Sequence, residues 1–271
     1  MREAHLTKIA QDIRFKIIQM SQLGHAAHLA SSLSCVDLIV AAYFEFLRLF
    51  PDRPSDPNRD RFILSKGHAI STLYAVLAKK GYFPWDLLDS FNEDGGSLPE
   101  HPTPHCISGV EAATGSLGHG LSLGIGQALA AKIQGLSYRV MVLMSDGECN
   151  EGSVWEAALF APVHKLQNLI VVIDFNKWQA TGRSEKIMQL SPLKEKWSSF
   201  GWDAHEIDGN SFTEILSVFS KITTISERPT AIIAHTVKGK GISFMEDDNN
   251  WHYRIPNDEE VARSKTELGI E

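Results

Sequence analysis

Cysteine is scarce in this chain. Cys35, Cys106 and Cys149 are the only three in 271 residues, too few and too scattered for a disulfide framework and without the spacing of a zinc site, so they read as free thiols. Basic residues are also short. Lys and Arg total 26 against 33 acids, a formal charge of -7, which removes the electrostatic basis for nucleic-acid binding. No uninterrupted apolar run suits a secretory signal or a membrane span: the stretch from Met1 to Lys8 is polar, and the most apolar helix candidate is broken by Asp37, Glu45 and Arg48. A cytoplasmic protein with neither membrane nor nucleic acid as partner is expected. Two nucleotide signatures are missing as well. Gly-x-x-x-x-Gly-Lys-Ser/Thr does not occur, and the glycine cluster from Gly118 to Gly126 does not follow a strand as Gly-x-Gly-x-x-Gly requires, which argues against ATP and NAD.

What the chain has is apolar content. At 43% hydrophobic residues it can bury a full core. Ile9, Ile13, Ile17 and Met20 recur at helical spacing within a helix expected from His5 to Leu23. Ser34 is expected to cap a second helix reaching about Leu49, which the proline-rich run Pro51 to Pro57 ends. A short strand, Arg61 to Leu64, leads through Ser65-Lys66-Gly67-His68 into a helix to about Lys80, placing His68 at a strand-to-helix turn.

The segment from Asn92 to Gly118 is rich in Gly, Pro, Ser, Thr and His and too long for an ordinary connection, which suggests a binding loop near His101, His105 and His119. A small-residue helix from Leu121 to Gln134 follows. Beyond it, strands at 139–144, 169–173, 204–207 and 231–234 alternate with helices from about Gly152, at 193–200 and at 212–223. That alternation predicts an α/β fold, a doubly wound and mostly parallel sheet flanked by helices, forming a single domain over residues 1–271 with a helical N-terminal region. Pro162 predicts a kink or break near Ala161 before its helix resumes. Residues 237–253 read as a loop around Trp251-His252, followed by a short charged tail. There is no internal repeat.

Asp146 follows the strand candidate ending at Met144, and Asn176 stands thirty residues on, just after the next one. If the two strands are parallel neighbours, both oxygen-bearing side chains stand together at the carboxyl edge of the sheet. One carboxylate, one amide oxygen and a nearby backbone carbonyl suit a hard divalent cation on a diphosphate, which Gly147 would let approach closely. Asp and Asn also turn chains well, so spacing alone leaves both readings open.

The runs around these residues resemble the transketolase family. Ser145-Asp-Gly-Glu-Cys-Asn-Glu-Gly-Ser-Val-Trp-Glu156 with Asp174-Phe-Asn-Lys-Trp178 is similar to its thiamine-diphosphate signature. Ser65-Lys-Gly-His68 through Tyr74, Gly109 through Gly120, His235-Thr-Val-Lys-Gly-Lys-Gly241 and Trp251-His252 fit in order, so the resemblance extends over nearly the whole chain.

The resemblance implies a thiamine-diphosphate-binding fold, here the diphosphate-side domain. Asp146, Asn176 and the carbonyl of Trp178 match metal ligands for Mg²⁺, with Ca²⁺ or Mn²⁺ able to substitute. Gly115, Leu117, Gly147, Asp146, Asn176, His68 and His252 match cofactor-binding positions. His28, His68, His101 and His252 match active-site histidines: His28 and His252 for the hydroxyl and proton-transfer region, His101 for donor hydroxyls, His68 for the diphosphate side. Such near-neutral groups suit proton transfer in both directions. Glu151 and Glu156 match acidic residues at a subunit interface, grouped with the catalytic set. Of the eleven histidines, the motif match is what selects these.

The activity implied is transfer of a two-carbon ketol unit from a ketose phosphate to an aldose phosphate. The chain corresponds to the first domain of the family, so it is expected to be the N-terminal subunit of a split transketolase. A separate C-terminal subunit would supply the pyrimidine side and its activating glutamate, in a heterotetramer of two plus two chains. The departures are Ala27 and Glu100 where glycines are usual, His119 for glutamine, and Ser145 for glycine; the first two bear on acceptor specificity. The alternatives are another thiamine-diphosphate enzyme subunit, similar to 1-deoxyxylulose-5-phosphate synthase or a 2-oxo acid dehydrogenase, and a non-catalytic binding subunit that retains the fold.

Overall fold

The computed structural model describes residues 1–103, 106–222 and 227–270. His105 and the last residue expected in the helix at 212–223 fall outside them. The N-terminal half begins with helix α1 (Arg2–Leu23), α2 (Leu29–Ser34) and α3 (Val36–Ala41), which continues into a π turn at Ala42–Phe46. Strand β1 (Arg61–Leu64) and helix α4 (Ile70–Lys80) come next. After the long loop come α5 (Gly120–Gln134), β2 (Val140–Ser145), α6 (Gly152–Val163) and β3 (Leu169–Phe175). A small antiparallel pair, β4 (Trp178–Gln179) and β5 (Gly182–Arg183), precedes α7 (Ser184–Ile187) and α8 (Leu193–Ser199). Strand β6 (Asp203–Asp208), α9 (Phe212–Ile222), β7 (Thr230–His235) and α10 (Asp258–Glu267) complete the chain.

The main sheet runs β1-β2-β3-β7-β6 with every pairing parallel. The strands β2, β3 and β7 are nearly continuous apolar runs because both faces are covered, whereas the edge strand β6 is largely polar and half-buried. On one face Met141, Leu143, Ile170, Val172, Ile232 and Ala234 pack under α1 to α4 and α9. On the other, Val140, Val142, Met144, Val171, Ile173 and Ile233 pack against α5, α6 and α8. The approach of α5 depends on Gly124, since a Cβ there would come within 2.4 Å of Val142. The doubly wound parallel expectation therefore holds.

Several local expectations are corrected. Ser34 caps no helix. It is the last residue of α2, and its hydroxyl bonds to the Ser31 carbonyl and to Asp174. A buried acceptor on β3 outcompetes the backbone amides a cap would serve. The following helical segment ends at Phe46, short of Leu49. Pro162 lies in the last turn of α6, and the helix does not resume after it. The Ala158 carbonyl that proline deprives of a helical donor accepts instead from the Trp202 indole at 2.8 Å. The charged tail contains α10, opened by a reciprocal cap: Asn257 accepts from the Glu260 amide at 2.9 Å and Glu260 accepts from the Asn257 amide at 3.0 Å. Among the described residues between Phe91 and His119 there is neither helix nor strand, as expected for a long loop. No helix among the described residues is long and apolar enough to cross a membrane.

Candidate active site

Strands β2 and β3 are parallel neighbours in register from Val140↔Leu169 to Ser145↔Asp174. Their tips stay tied beyond the last pair, since the Asp146 amide donates to the Asp174 carbonyl at 3.2 Å. Asp146 is fully buried. One carboxylate oxygen accepts from the Gly147 amide at 3.0 Å, the other from the Lys177 amide at 3.1 Å and the Ser184 hydroxyl at 2.7 Å. Burial pushes its carboxyl up to about 7 despite these bonds. Asn176 is also buried, and its side-chain oxygen accepts from the Trp178 amide at 3.0 Å.

Outside these tips lies a cleft of about 440 Å³. Gly115, Leu117, Ser145, Gly147, Asn176 and Trp178 line it beside Glu151 and the histidines 28, 68, 101 and 252. Gly115 has φ 131° and a Cβ on it would meet the His101 ring at 2.9 Å, so only glycine lets the loop pass so close to the imidazole. Gly67 packs as tightly, against the backbone of Thr114 and Gly115. That contact fixes the loop from 114 to 117 against the turn that carries His68.

The four histidines converge from four segments. His28 precedes α2 in the left-handed region at φ 67°, His68 lies in the short turn after β1, His101 comes from the long loop, and His252 from a turn near the end of the chain. The His28 ring centroid is 4.8 Å from that of His252, 5.3 Å from His68 and 6.0 Å from His101. Burial lowers the pKa of His28 and His68, and burial with the Lys238 charge holds His252 down to about 3. These three rings are therefore neutral at pH 7, able to give or take a hydrogen bond.

Sequence reasoning gave no role to the groups beneath the rings. Lys238 is buried, and its ammonium donates to Asn249 at 2.6 Å and to His252 Nδ1 at 3.1 Å. Because an ammonium only donates, Nδ1 is the acceptor and Nε2 of His252 carries the proton. Burial pushes Lys238 down to about 8. Deeper still, Lys66 bonds Asp174 at 2.5 Å and the Ser31 carbonyl at 2.8 Å. Asp174 also accepts from Ser34 at 2.6 Å and from Thr236. A readable signal existed: an aspartate inside an apolar strand run, and a lysine in the turn before His68. Glu148 is buried and ties three segments, accepting from Ser65, the Gly118 amide at 3.1 Å and the Ser145 amide at 2.8 Å.

Not every expected residue enters the cleft. Glu156 lies on the exposed side of α6, one or two turns from Leu159, Phe160 and Val163, which are 54%, 40% and 79% exposed. His119, near the long loop, is exposed and absent from the lining.

The residues fit a divalent cation with an anionic group. The desolvated Asp146 carboxylate has no cationic side chain bonded to it. Among the described residues, no group of three or more His, Cys, Asp and Glu side chains is placed to hold a metal, so a cation here needs the mixed set of carboxylate, amide and backbone oxygen. In the cleft wall, Gln179 Nε2 and His28 Nδ1 are buried without partners, which leaves both free to bond a ligand.

Comparisons with known proteins agree with this geometry. The family described as "Transketolase, thiamine diphosphate binding domain" matches residues 6–271. An apulose-4-phosphate transketolase subunit of Phocaeicola vulgatus is 39% identical over 255 residues, covering 94% of this chain and 90% of that protein. The 6-deoxy-6-sulfo-D-fructose transketolase subunit SqwG of Clostridium sp. (strain MSTE9) is 42% identical over 228 residues, covering 84% of this chain and 82% of that protein. The crystal structure of transketolase from Campylobacter jejuni superposes with a TM-score of 0.92 at 28% identity, over 98% of this chain and 43% of that one. The chain thus spans under half of that solved transketolase and most of the two subunits.

Proposed function

Because the chain belongs to the transketolase family, we propose that it is the diphosphate-side subunit of a two-chain transketolase, moving a two-carbon ketol unit from a ketose phosphate to an aldose phosphate. The observation that carries this reading is the convergence of four histidines on one cleft whose floor is the paired tips of β2 and β3. Asp146, Asn176 and the Trp178 carbonyl hold the metal, Mg²⁺ in the first instance, while Gly115, Leu117 and Gly147 let the diphosphate approach. When bound, thiamine diphosphate supplies the electron sink that makes cleavage beside a ketone feasible.

The chain's own groups orient the sugar and move its protons. His252 presents a donor Nε2, and His28 has a free Nδ1 facing the same space. His101 reaches from the long loop toward donor hydroxyls, and His68 stands on the diphosphate side. The depressed proton affinity of His28, His68 and His252 keeps these three rings uncharged at neutral pH, so each can give or take a hydrogen bond with the sugar.

The pyrimidine side belongs to a separate C-terminal subunit. Two relatives that match along most of their length are themselves named as subunits, and the apolar stripe on α6 beside Glu156 supports burial of that face against another chain. Two copies of each chain make the assembly, with Glu151 and Glu156 at its centre. The test is to reconstitute this chain with its partner and supply a ketose phosphate or pyruvate as donor. Ketol transfer from the ketose phosphate is expected, and activity with pyruvate alone overturns the reading.

A further inference from the structure

Glu100 and Ala27, two of the four positions that depart from the family pattern, are bonded to each other. The Ala27 amide donates to a Glu100 carboxylate oxygen at 3.0 Å. Ala27 needs no glycine, because the left-handed residues of its loop are His25, at φ 47°, and His28, at φ 67°. A histidine holds that conformation only when its surroundings enforce it. The amide of His28 itself is held by the His252 carbonyl at 2.7 Å, so the peptides on both sides of the bend are anchored, one by backbone and one by the Glu100 side chain.

We propose that Glu100 is a positioning residue for His28: its carboxylate pins the peptide that aims the imidazole into the cleft and keeps a negative charge beside that ring. The inference rests on reading the cleft as the ketol-transfer site. The long loop thereby contributes His101 and, one residue earlier, the anchor of a second histidine from a distant segment. The ring so aimed has work to do, because His28 Nδ1 is buried without a protein partner. Around it stand the rings of His68, His101, His252 and Tyr253. Burial drives the imidazole toward neutrality, Glu100 opposes it, and His101, Lys238 and Lys66 reinforce it. Of these charged neighbours only Glu100 is negative. It tempers a surrounding that otherwise expels a proton from the ring.

The two parts of the role separate in two variants. Glu100→Gln retains an oxygen for the Ala27 amide but loses the charge, whereas Glu100→Ala loses both. Histidine-labelled full-length chain is titrated by NMR, the His28 resonance being identified by its loss in His28→Asn. In Glu100→Gln, His28 is expected to titrate at lower pH than in the unaltered chain, and an unchanged titration overturns the electrostatic part. In the reconstituted pair with thiamine diphosphate and Mg²⁺, Glu100→Gln is expected to extend the acid limb of kcat/KM to lower pH. Glu100→Ala is expected to lower kcat by about 10-fold to 100-fold, the scale of a misaimed group. Unaltered kcat in Glu100→Ala overturns the anchoring. Should the unaltered pair transfer no ketol unit, the functional reading falls while the NMR titration still decides the role of Glu100.

Discussion

Lys66 and Asp174 form an ion pair with no solvent exposure on either side, 2.5 Å apart, between the histidine-bearing turns and the tip of β3. Burial alone would strip the lysine of its proton, and Asp174 overrides that, so the ammonium persists. Through Ser31 and Ser34 the pair also fastens α2, whose entry carries His28.

Removing one partner strands the other charge in the interior. Lys66→Met is expected to destabilise the chain by about 3–5 kcal/mol, the range for a broken buried pair. Lys66→Met combined with Asp174→Leu should recover part of that loss. Denaturant unfolding of the two variants checks this, and equal stability of single and double variants counts against the coupling.

The sheet was legible because β2, β3 and β7 are apolar runs separated by helical patterns, and both faces being covered makes such runs long. Adjacency of Asp146 and Asn176 was conditional on their two strands being parallel neighbours, and the pairing of β2 with β3 meets that condition. The roles of Ser34 and Pro162 were not legible, since each is decided by a partner distant in sequence, Asp174 and Trp202 respectively. The capping box Asn257-Asp-Glu-Glu260 was readable and outweighed the charge of the tail. The histidines could be selected only by family resemblance, because their convergence joins segments as far apart as His28 and His252. Lys238 drew no individual role from its loop sequence and is buried.

Asp146→Ala is expected to abolish metal-dependent binding of thiamine diphosphate in the assembled pair. The carboxylate is the one anionic side chain in the proposed ligand set, and the amide and carbonyl oxygens left behind hold a divalent cation poorly. Calorimetry with Mg²⁺ present reads this as loss of the saturable heat. Circular dichroism of the variant separates the effect from unfolding, and retained affinity counts against the metal role.

Proton binding links the histidine cluster to stability. His252 titrates near 3 in the fold against an ordinary 6.5, so the unfolded chain binds its proton first as pH falls. Its contribution is fully present above 6.5 and is lost progressively as pH falls from there toward 3. Asp146 and Glu148, both raised by burial, act in the opposite sense, so the effect is read by difference. Unfolding midpoints of the unaltered chain and of His252→Gln are expected to converge between pH 6.5 and 4, because only the former carries the penalty. A constant difference across that window contradicts the depressed value.

Phe160, 40% exposed, and Val163, 79% exposed, stand with Leu159 on the outer side of α6, where an apolar stripe in water has no stabilising role. Exposed apolar side chains grouped on one helix side mark a surface that another chain covers. Phe160→Asp would place a charge in the middle of that contact without touching the cleft or the sheet. The variant is expected to fold with unaltered circular dichroism but to sediment as a smaller species when mixed with its partner subunit, and to bind thiamine diphosphate more weakly because the site between chains is no longer closed. Introducing one unpaired charge into a desolvated interface costs on the order of 2–5 kcal/mol, enough to shift the assembly toward dissociation. Sedimentation velocity across a concentration series measures this directly, and assembly identical to that of the unaltered pair would mean that α6 faces solvent and the two chains meet elsewhere.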